Sequence, residues 1–333
     1  MNQQENEKRL LTVSPSPHIR GKDTTSSIMM DVLIALAPTS VWGVYVFGTR
    51  ALLMILVCVL TSVLAEGITQ VILHREVTTG DLSAAVTGLL LALCLPVAMP
   101  LWQAALGCVF AIVLVKQIFG GIGKNFMNPA LAGRAFLMLA FAGNMTRFTP
   151  AYDRLWFSAA DAVASATPLA SLKAGALPEA TLVDMLLGRT GGCIGEVSAL
   201  LLLAGGIYLL AKRIISWHIP VAYLGTVALL SLIVCRADAA RLTVMAYELL
   251  SGGLMIGALF MATDYVTSPV TKGGKLVFGV GCGALTVLIR TFGGYPEGVS
   301  FAILIMNALV WYLDSAFRPR VFGKQKGKVA GNG

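Results

Sequence analysis

Charged residues, histidines and paired cysteines are all scarce in this sequence. Only 13% of the 333 residues are charged while 56% are hydrophobic, a balance typical of membrane proteins. The three histidines, His18, His74 and His218, are predicted at or near one side of the membrane, which argues against a Ser-His-Asp hydrolase. The six cysteines include no Cys-x-x-Cys pair, so neither a disulfide framework nor a self-contained metal or iron–sulfur site is indicated.

Targeting and nucleotide motifs are missing as well. No apolar core precedes residue 28, so no cleavable signal peptide is expected and the first helix should direct insertion. No P-loop is present. The net charge of +8 is explained by basic residues at cytoplasmic loops and tails, and nucleic acid is not an expected partner.

Long apolar blocks dominate the chain and predict an all-α polytopic membrane protein in contact with lipid. A helix needs roughly 20 residues to cross the hydrocarbon core, and these runs are continuously apolar rather than alternating like barrel strands. Ten spans are predicted, at 26–48, 50–73, 82–99, 101–119, 128–143, 194–211, 217–235, 246–263, 275–290 and 298–315.

The distribution of lysine and arginine predicts the orientation. With a cytoplasmic amino terminus, sixteen of these residues fall on the cytoplasmic side and eight on the other, so both termini are expected in the cytoplasm and loop 144–193 outside it. The chain is thus divided into a cytoplasmic segment 1–25, five-helix units 26–143 and 194–316, the loop 144–193 between them, and a basic cytoplasmic tail 317–333.

Five spans on each side of one long loop predict two repeats of inverted orientation. "FGGIGKNFMNPALAGRAF" precedes the fifth span and "FGGYPEGVSFAI" the tenth. The third and eighth spans are short and interrupted by Gly or Pro, which is typical of half-helices around a central site. Close packing of small residues explains the same pattern equally well.

Several polar residues lie where apolar ones would be more stable. Glu66 and Arg134 lie deep in predicted spans, where an unpaired charge costs at least a few kcal/mol, and each fits either a functional site or a structural ion pair. The junction "GGIGKNFMNPALAGRAF" brings Asn125 and Asn128 to a helix start that suits an anionic or carbonyl-rich ligand. A second junction, "FMATDYVTSPVTKGGK", contains a cluster of hydrogen-bonding side chains: Asp264, Thr267, Ser268 and Thr271.

The stretch "DAVASATPLA", residues 161–170, is a run of small residues in the long loop. Small neighbours leave steric access to the hydroxyl of Thr167, and Pro168 stiffens the backbone after it. An enzyme could therefore modify this threonine. A flexible exposed loop without further function would have the same composition.

Together these motifs resemble one family. "GGIGKNFMNPALAGRAF", "SATPLA", "GCIGEVSAL", "FMATDYVTSPVTKGGK" and "LIRTFGGYPEGVSFAILIMNALV" are similar to the D subunit of the Rnf complex, an ion-translocating ferredoxin:NAD oxidoreductase. That family includes the B subunit of the sodium-translocating NADH:quinone oxidoreductase. The resemblance runs from about residue 12 to residue 315.

The resemblance implies a covalent flavin. In that family a threonine at the end of the sequence D-x-x-S/T-G-A-T carries FMN through a phosphoester bond. Asp161, Ala166 and Thr167 match this pattern, whereas Ala164 and Ser165 depart from it while staying small. Thr167 is therefore the expected attachment site, and a second, noncovalent flavin, riboflavin, is compatible with the family.

The implied function is electron relay within a larger complex in a bacterial inner or plasma membrane. The expected partners are the A, B, C, E and G subunits of the Rnf complex, with a flavin transferase for maturation. No complete activity is expected of the chain alone. The B subunit of a quinone reductase is an alternative, although only about 25 residues precede the first span, and a channel or transporter without redox chemistry is another.

Flavin contacts and ion coupling are assigned to specific residues as a hypothesis. Positive charge and amide or hydroxyl groups stabilise a flavin phosphate and a reduced ring. Glu66 is expected to couple ion binding to the redox state. The residues expected to contact flavin, besides Thr167, Asp161, Ser165 and Ala166, are Asn125, Asn128, Arg134, Asp264, Thr267, Ser268 and Thr271.

Overall fold

The computed structural model describes residues 24–152, 167–196, 198–234, 240–294 and 297–318. The described chain is helical, and the single backbone bridge found within it joins Pro96 to Cys193. The helices of the first part are α1 (Thr25–Phe47), α2 (Thr49–Ile72), α3 (Ser83–Leu93), α4 (Leu101–Gln117), α5 (Pro129–Ala140) and α6 (Ala142–Met145). Those of the second part are α7 (Pro168–Lys173), α8 (Leu182–Leu187), α9 (Ala199–Ala211), α10 (His218–Ile233), α11 (Arg241–Leu250), α12 (Leu254–Met261), α13 (Lys272–Phe292) and α14 (Val299–Ala316).

Hydrogen-bonding side chains set several helix starts. Thr24 and Ser27 form a reciprocal capping box at the start of α1, which satisfies backbone donors that have no partner inside the helix. Asn128 caps α5 by accepting from the Leu131 amide, and Pro129 follows at the first helical position, where a missing N–H costs nothing. The motif "NPALAGRAF" therefore fixes one helix start by local chemistry.

Two of the predicted spans are interrupted, as the sequence indicates. The third consists of α3, only 11 residues long, followed by non-helical chain up to Pro100. The eighth is split into α11 and α12, which are bent by 64°. Gly252 and Gly253 lie at this bend with φ of 67° and 66°, a backbone region that glycine enters without steric cost.

Four helices, α1, α2, α13 and α14, are each long and apolar enough to cross a membrane, and the bent pair α11 and α12 makes a fifth candidate. Five further apolar helices, α3, α4, α5, α9 and α10, are shorter, with 10 to 17 residues. All ten of these segments lie within or overlap the apolar blocks of the sequence. The structure is thus a polytopic helical membrane protein with four or five full-length spans among the described residues.

The interior is built from the two interrupted spans. Every residue of α3 is buried, and so is every residue of α12, the pattern of a helix surrounded by other helices. By contrast, α2 exposes a stripe of large apolar side chains at four-residue spacing, namely Leu52, Leu56, Leu60, Leu64 and Ile68. A stripe of this kind is suited to lipid rather than to water.

Helix packing follows the same order in the two parts of the chain. In the first part, α2 packs against α3 and α4, and α4 packs against α5. In the second, α10 packs against α11 and α13, and α13 packs against α14. The contact between α1 and α9 joins the first helix of one part to the first long helix of the other.

Candidate functional sites

The predicted site residues fall into separate places. Thr167 and Arg134 lie around a small polar pocket and a buried ion pair, whereas Asn125, Asn128 and Asp264 line a larger cavity. On α5, Arg134 is six residues beyond the Asn128 cap, or about 9 Å along the helix axis. The expected flavin contacts therefore do not form a single site. Asp161, Ser165 and Ala166 lie outside the described residues.

Thr167 is the N-cap of the short helix α7. Its hydroxyl oxygen accepts a hydrogen bond from the Ala170 amide at 3.3 Å, and Pro168 occupies the first helical position. The sequence-based expectation of an accessible side chain is wrong for the folded chain, because Thr167 is only 7% exposed. The following Leu169 packs against Gly252 at the bend between α11 and α12, and this contact holds α7 over the break.

The pocket beside Thr167 is small and polar. It has a volume of about 20 Å³ and is lined by Thr167, Glu196, Ser251, Gly252 and Glu297 among others. Room for one water molecule requires roughly 10–15 Å³. The pocket therefore has room for a single water or ion and is far too small for an isoalloxazine ring.

A buried charge cluster lies beneath this pocket. The Arg134 guanidinium forms an ion pair with Glu297 and donates to the Ser300 hydroxyl at 2.8 Å and to the Cys193 sulfur at 3.8 Å. Glu196, three residues after Cys193, places a carboxylate oxygen near the same group. Arg134 is thus held in a buried ion pair with Glu297.

The larger cavity has a volume of about 320 Å³, which is within the range of small-molecule sites. Apolar side chains of α1, including Ile28, Met29 and Val32, form one wall. Polar groups face them: Ser83, Thr87, Lys116, Asn125, Asn128 and Asp264. Predominantly apolar walls with a few placed polar groups are typical of cofactor sites.

Asp264 is fixed at the edge of this cavity by its own loop. The Thr267 hydroxyl donates to the Asp264 carboxylate at 2.9 Å. Burial raises the pKa of the Asp264 carboxyl, and the hydrogen bond from Thr267 opposes that rise. Ser268 is buried without lining the cavity, and Thr271 caps α13 by accepting from the Gly274 amide. Of these four polar residues, only Asp264 lines the cavity.

Glu66 is paired with a lysine that sequence reasoning assigned to a cytoplasmic edge. Lys116 lies 2.6 Å from the Glu66 carboxylate, and both side chains are almost fully buried. Gln117 donates to the same carboxylate oxygen at 2.6 Å, and Lys116 also donates to the Ser83 hydroxyl. A π-helical segment at the end of α4, Phe110–Gln117, brings both side chains to Glu66. The second Glu66 oxygen, Oε2, is buried without a hydrogen bond in the described chain.

Sequence reasoning missed Glu297, Cys193 and Lys116 as members of these clusters. Glu297 lies in "GGYPEGVS" and Cys193 in "GCIGEVSAL", two motifs that carry the family resemblance, so motif membership is the signal that could have indicated them. Lys116 gives no such signal, because a lysine at the end of an apolar run usually marks a loop.

Interrupted helices around buried charges, with a ligand-sized cavity and an apolar surface, are features of a polytopic membrane protein with an internal functional site. The chain belongs to the NQR2, RnfD, RnfE family, whose model matches residues 12–323.

Its relatives are subunits of ion-translocating oxidoreductases. The chain is 48% identical to the D subunit of the Na⁺-translocating ferredoxin:NAD⁺ oxidoreductase complex of Acetobacterium woodii, over 95% of this chain and 96% of the relative. It is 41% identical to the D subunit of the proton-translocating ferredoxin:NAD⁺ oxidoreductase complex of Clostridium ljungdahlii, over 96% and 98%. It is 39% identical to the D subunit of the ion-translocating oxidoreductase complex of Stutzerimonas stutzeri, over 91% and 93%.

Proposed function

We propose that this chain is the D subunit of an ion-translocating ferredoxin:NAD oxidoreductase (Rnf) complex. In this role it relays electrons within a bacterial inner or plasma membrane and couples their passage to export of Na⁺ or H⁺. The observation that carries the proposal is near-full-length similarity to two relatives named as the D subunits of such complexes. Other subunits, of the A, B, C, E and G types, complete the activity.

The same proposal assigns FMN to Thr167 as a covalent phosphoester, formed by a flavin transferase. Thr167 fits this role as a tether, because its oxygen already faces the Ala170 amide at a helix start, and amides there favour an attached phosphoryl group. The pocket beside it does not fit the ring, which must lie outside the pocket. A bound flavin accepts and passes electrons, and the role of Thr167 is to fix its position.

The larger cavity is the proposed site of a second, noncovalent flavin, riboflavin. Its volume of about 320 Å³ suits a planar ligand of that size. Asn125 and Asn128 line the cavity with amide groups, and Lys116, itself paired with Glu66, lies at its wall, where such groups suit a flavin ring. Three of the proposed contacts, Thr267, Ser268 and Thr271, do not line this cavity and act on it only through their loop.

Replacing Val32 by Trp is expected to displace this second flavin. Forcing a large side chain into a fitted site costs about 1–3 kcal/mol, which corresponds to roughly a tenfold to hundredfold loss of affinity. The measurement is the amount of flavin released by acid from the purified complex, set against the covalent flavin that stays with the chain. Ile34→Trp is the matched control, because Ile34 is half exposed on the same helix. Equal flavin release from both variants and wild type would refute the cavity assignment.

Ion coupling is proposed to use the two five-helix units as inverted repeats. Support comes from the corresponding packing of α2 on α3 and α4 and of α10 on α11 and α13. Both parts contain an interrupted span, and such pairs of breaks are typical of central sites in inverted-repeat transporters. With both termini in the cytoplasm, Thr167 lies on the opposite side.

Electrostatics supplies the coupling in this proposal. Charge changes near Thr167 act on Glu297 and Glu196 across a short, poorly screened distance. The Glu66–Lys116 pair is the second proposed coupling point, and its carboxylate carries one unpaired oxygen. Because coupling is reciprocal, ion binding at either place must also change how easily the flavin on Thr167 is reduced.

Membership of the complex is tested by purifying the tagged full-length chain from native membranes in mild detergent. We expect the chain to co-elute with other subunits. The same fraction should reduce NAD⁺ with electrons from reduced ferredoxin. Quinone reduction by NADH in the same fraction would instead favour the quinone reductase alternative. A chain that elutes alone, without redox activity, and that moves a solute in vesicles would contradict the proposal in favour of a transporter.

A further inference from the structure

We propose that the small pocket beside Thr167, lined by Glu196 and Glu297, is a binding site for one monovalent metal cation of the size of Na⁺. Glu196 and Glu297 supply its carboxylate ligands. The Cys193 sulfur and one oxygen from each of these glutamates all lie within 4.8 Å of one another, so three potential ligand atoms are close enough to share one ion.

The pocket volume matches a single small ion. About 20 Å³ is enough for one water-sized sphere and too little for two. Ser251 and Gly252, at the bend between α11 and α12, form part of its wall. A side chain at Gly253 would place Cβ only 2.9 Å from Glu196 Oε1. The helix break therefore makes the space that the Glu196 carboxylate occupies.

With both carboxylates ionised, the cluster carries one net negative charge. Two carboxylates, Glu196 and Glu297, face one guanidinium, Arg134, which pairs with Glu297. Among the described residues, Glu196 has no ion pair, and its carboxylate receives a long hydrogen bond of 3.5 Å from the Cys193 amide and lies beside the Cys193 thiol. Arg290 is bound instead to the Glu248 and Ser251 carbonyl oxygens.

The second carboxylate oxygen of Glu297 is available as a ligand at this pocket. Glu297 is 7% exposed and lines the pocket, and its Oε2 atom is taken by Arg134. Its other oxygen has no hydrogen bond to any part of the described chain. This oxygen is not among the fully enclosed, unpartnered atoms of the described chain, so it stays open to a ligand at the pocket.

The ligand set and the guanidinium together favour a hard monovalent ion. Carboxylate oxygens suit hard cations, whereas zinc and copper prefer thiolates and imidazoles. The Cys193 sulfur is already within 3.8 Å of Arg134. Because Arg134 adds one positive charge, a single further charge neutralises the two carboxylates, and a divalent ion would exceed this balance.

The cation site stands on this geometry alone, whereas its coupling to electron transfer rests on the proposed function. The pocket also borders Thr167, so ion occupancy and any charge attached to Thr167 would influence each other through a short distance of low dielectric. The site can therefore be tested in a chain that carries no flavin at all.

The test measures sodium binding to the purified full-length chain made without flavin transferase. We expect one bound sodium ion per chain with radioactive Na⁺, and a thermal unfolding midpoint that rises with NaCl relative to choline chloride at equal ionic strength. Glu196→Gln keeps the side-chain shape but removes the charge, and it should abolish both effects. The control is Glu179→Gln, which changes an exposed glutamate of loop 144–193. This variant should keep both sodium binding and stabilisation by NaCl.

Cys193→Ser distinguishes the class of metal. An oxygen ligand in place of the sulfur should preserve or strengthen Na⁺ binding and weaken Zn²⁺ binding, because Na⁺ prefers oxygen and zinc prefers thiolate. Sodium binding that is absent from wild type, or equal in wild type and Glu196→Gln, would overturn the proposal. So would stabilisation by Zn²⁺ that disappears in Cys193→Ser. Because no flavin is present, none of these failures would bear on the flavin at Thr167.

Discussion

Thr167→Ala is expected to remove covalent flavin from the chain completely. Without the Oγ atom no phosphoester can form, so the effect is all or none. The measurement is the intact mass of the chain expressed with its flavin transferase, followed by mapping of the peptide that contains residues 155–173. Wild-type chain should carry an addition of the mass of FMN less one water on Thr167. The variant should carry none and should fail to relay electrons in the assembled complex.

Thr181→Ala is the matched control for this experiment. Like Thr167, Thr181 is the N-cap of a six-residue helix in the same loop, so both variants lose a cap worth about 1 kcal/mol. Only Thr167→Ala should lose flavin. An unmodified Thr167 in fully active native complex would contradict the attachment site and show that Ala164 and Ser165 prevent modification.

Thr167 also illustrates a limit of sequence reasoning about accessibility. Small neighbours predict an open hydroxyl, but capping of α7 and contact of Leu169 with Gly252 bury it. Gly252 is 85 residues from Thr167 in the chain, and no local pattern indicates their contact. If Thr167 is modified, the transferase must reach it before α7 docks, or α7 must open to admit it.

The broken helices were predictable because glycine leaves a local signature. Gly252 and Gly253 favour positive φ, and the structure has its 64° bend there. Helix lengths were not predictable in the same way. The third apolar block suggests a full span, yet α3 has 11 residues because the chain after Leu93 is non-helical up to Pro100. Hydropathy records burial in an apolar environment and does not distinguish helix from extended chain.

The sequence does not show which buried charged residues form ion pairs with each other. Arg134 and Glu297 are 163 residues apart, and Glu66 and Lys116 are 50 apart by their numbers. Lysine and arginine counting treats Lys116 as an edge residue, whereas only 4% of its side chain is exposed. The costs of unpaired buried charge predict that partners exist, but only the packing of α2 on α4 and of α5 on α14 identifies them.

Glu66→Gln is expected to have the second largest effect, on both stability and ion coupling. The substitution leaves the Lys116 ammonium buried beside a neutral amide, and breaking a buried pair in this way costs about 3–5 kcal/mol. The thermal midpoint of the detergent-solubilised complex should fall accordingly. In vesicles, the number of ions moved per electron should fall as well, because the proposed coupling carboxylate is gone.

A double variant separates these two roles of Glu66. Glu66→Gln with Lys116→Met leaves no unpaired charge at the site, so much of the lost stability should return, as it does when buried ion pairs are replaced as a unit. Ion coupling should stay lost, because it requires the carboxylate and not the pair. If the double variant recovers wild-type ions per electron together with stability, Glu66 serves only the fold. In that case the coupling step has to be sought at the Arg134 cluster, where the remaining buried carboxylates lie beside Thr167.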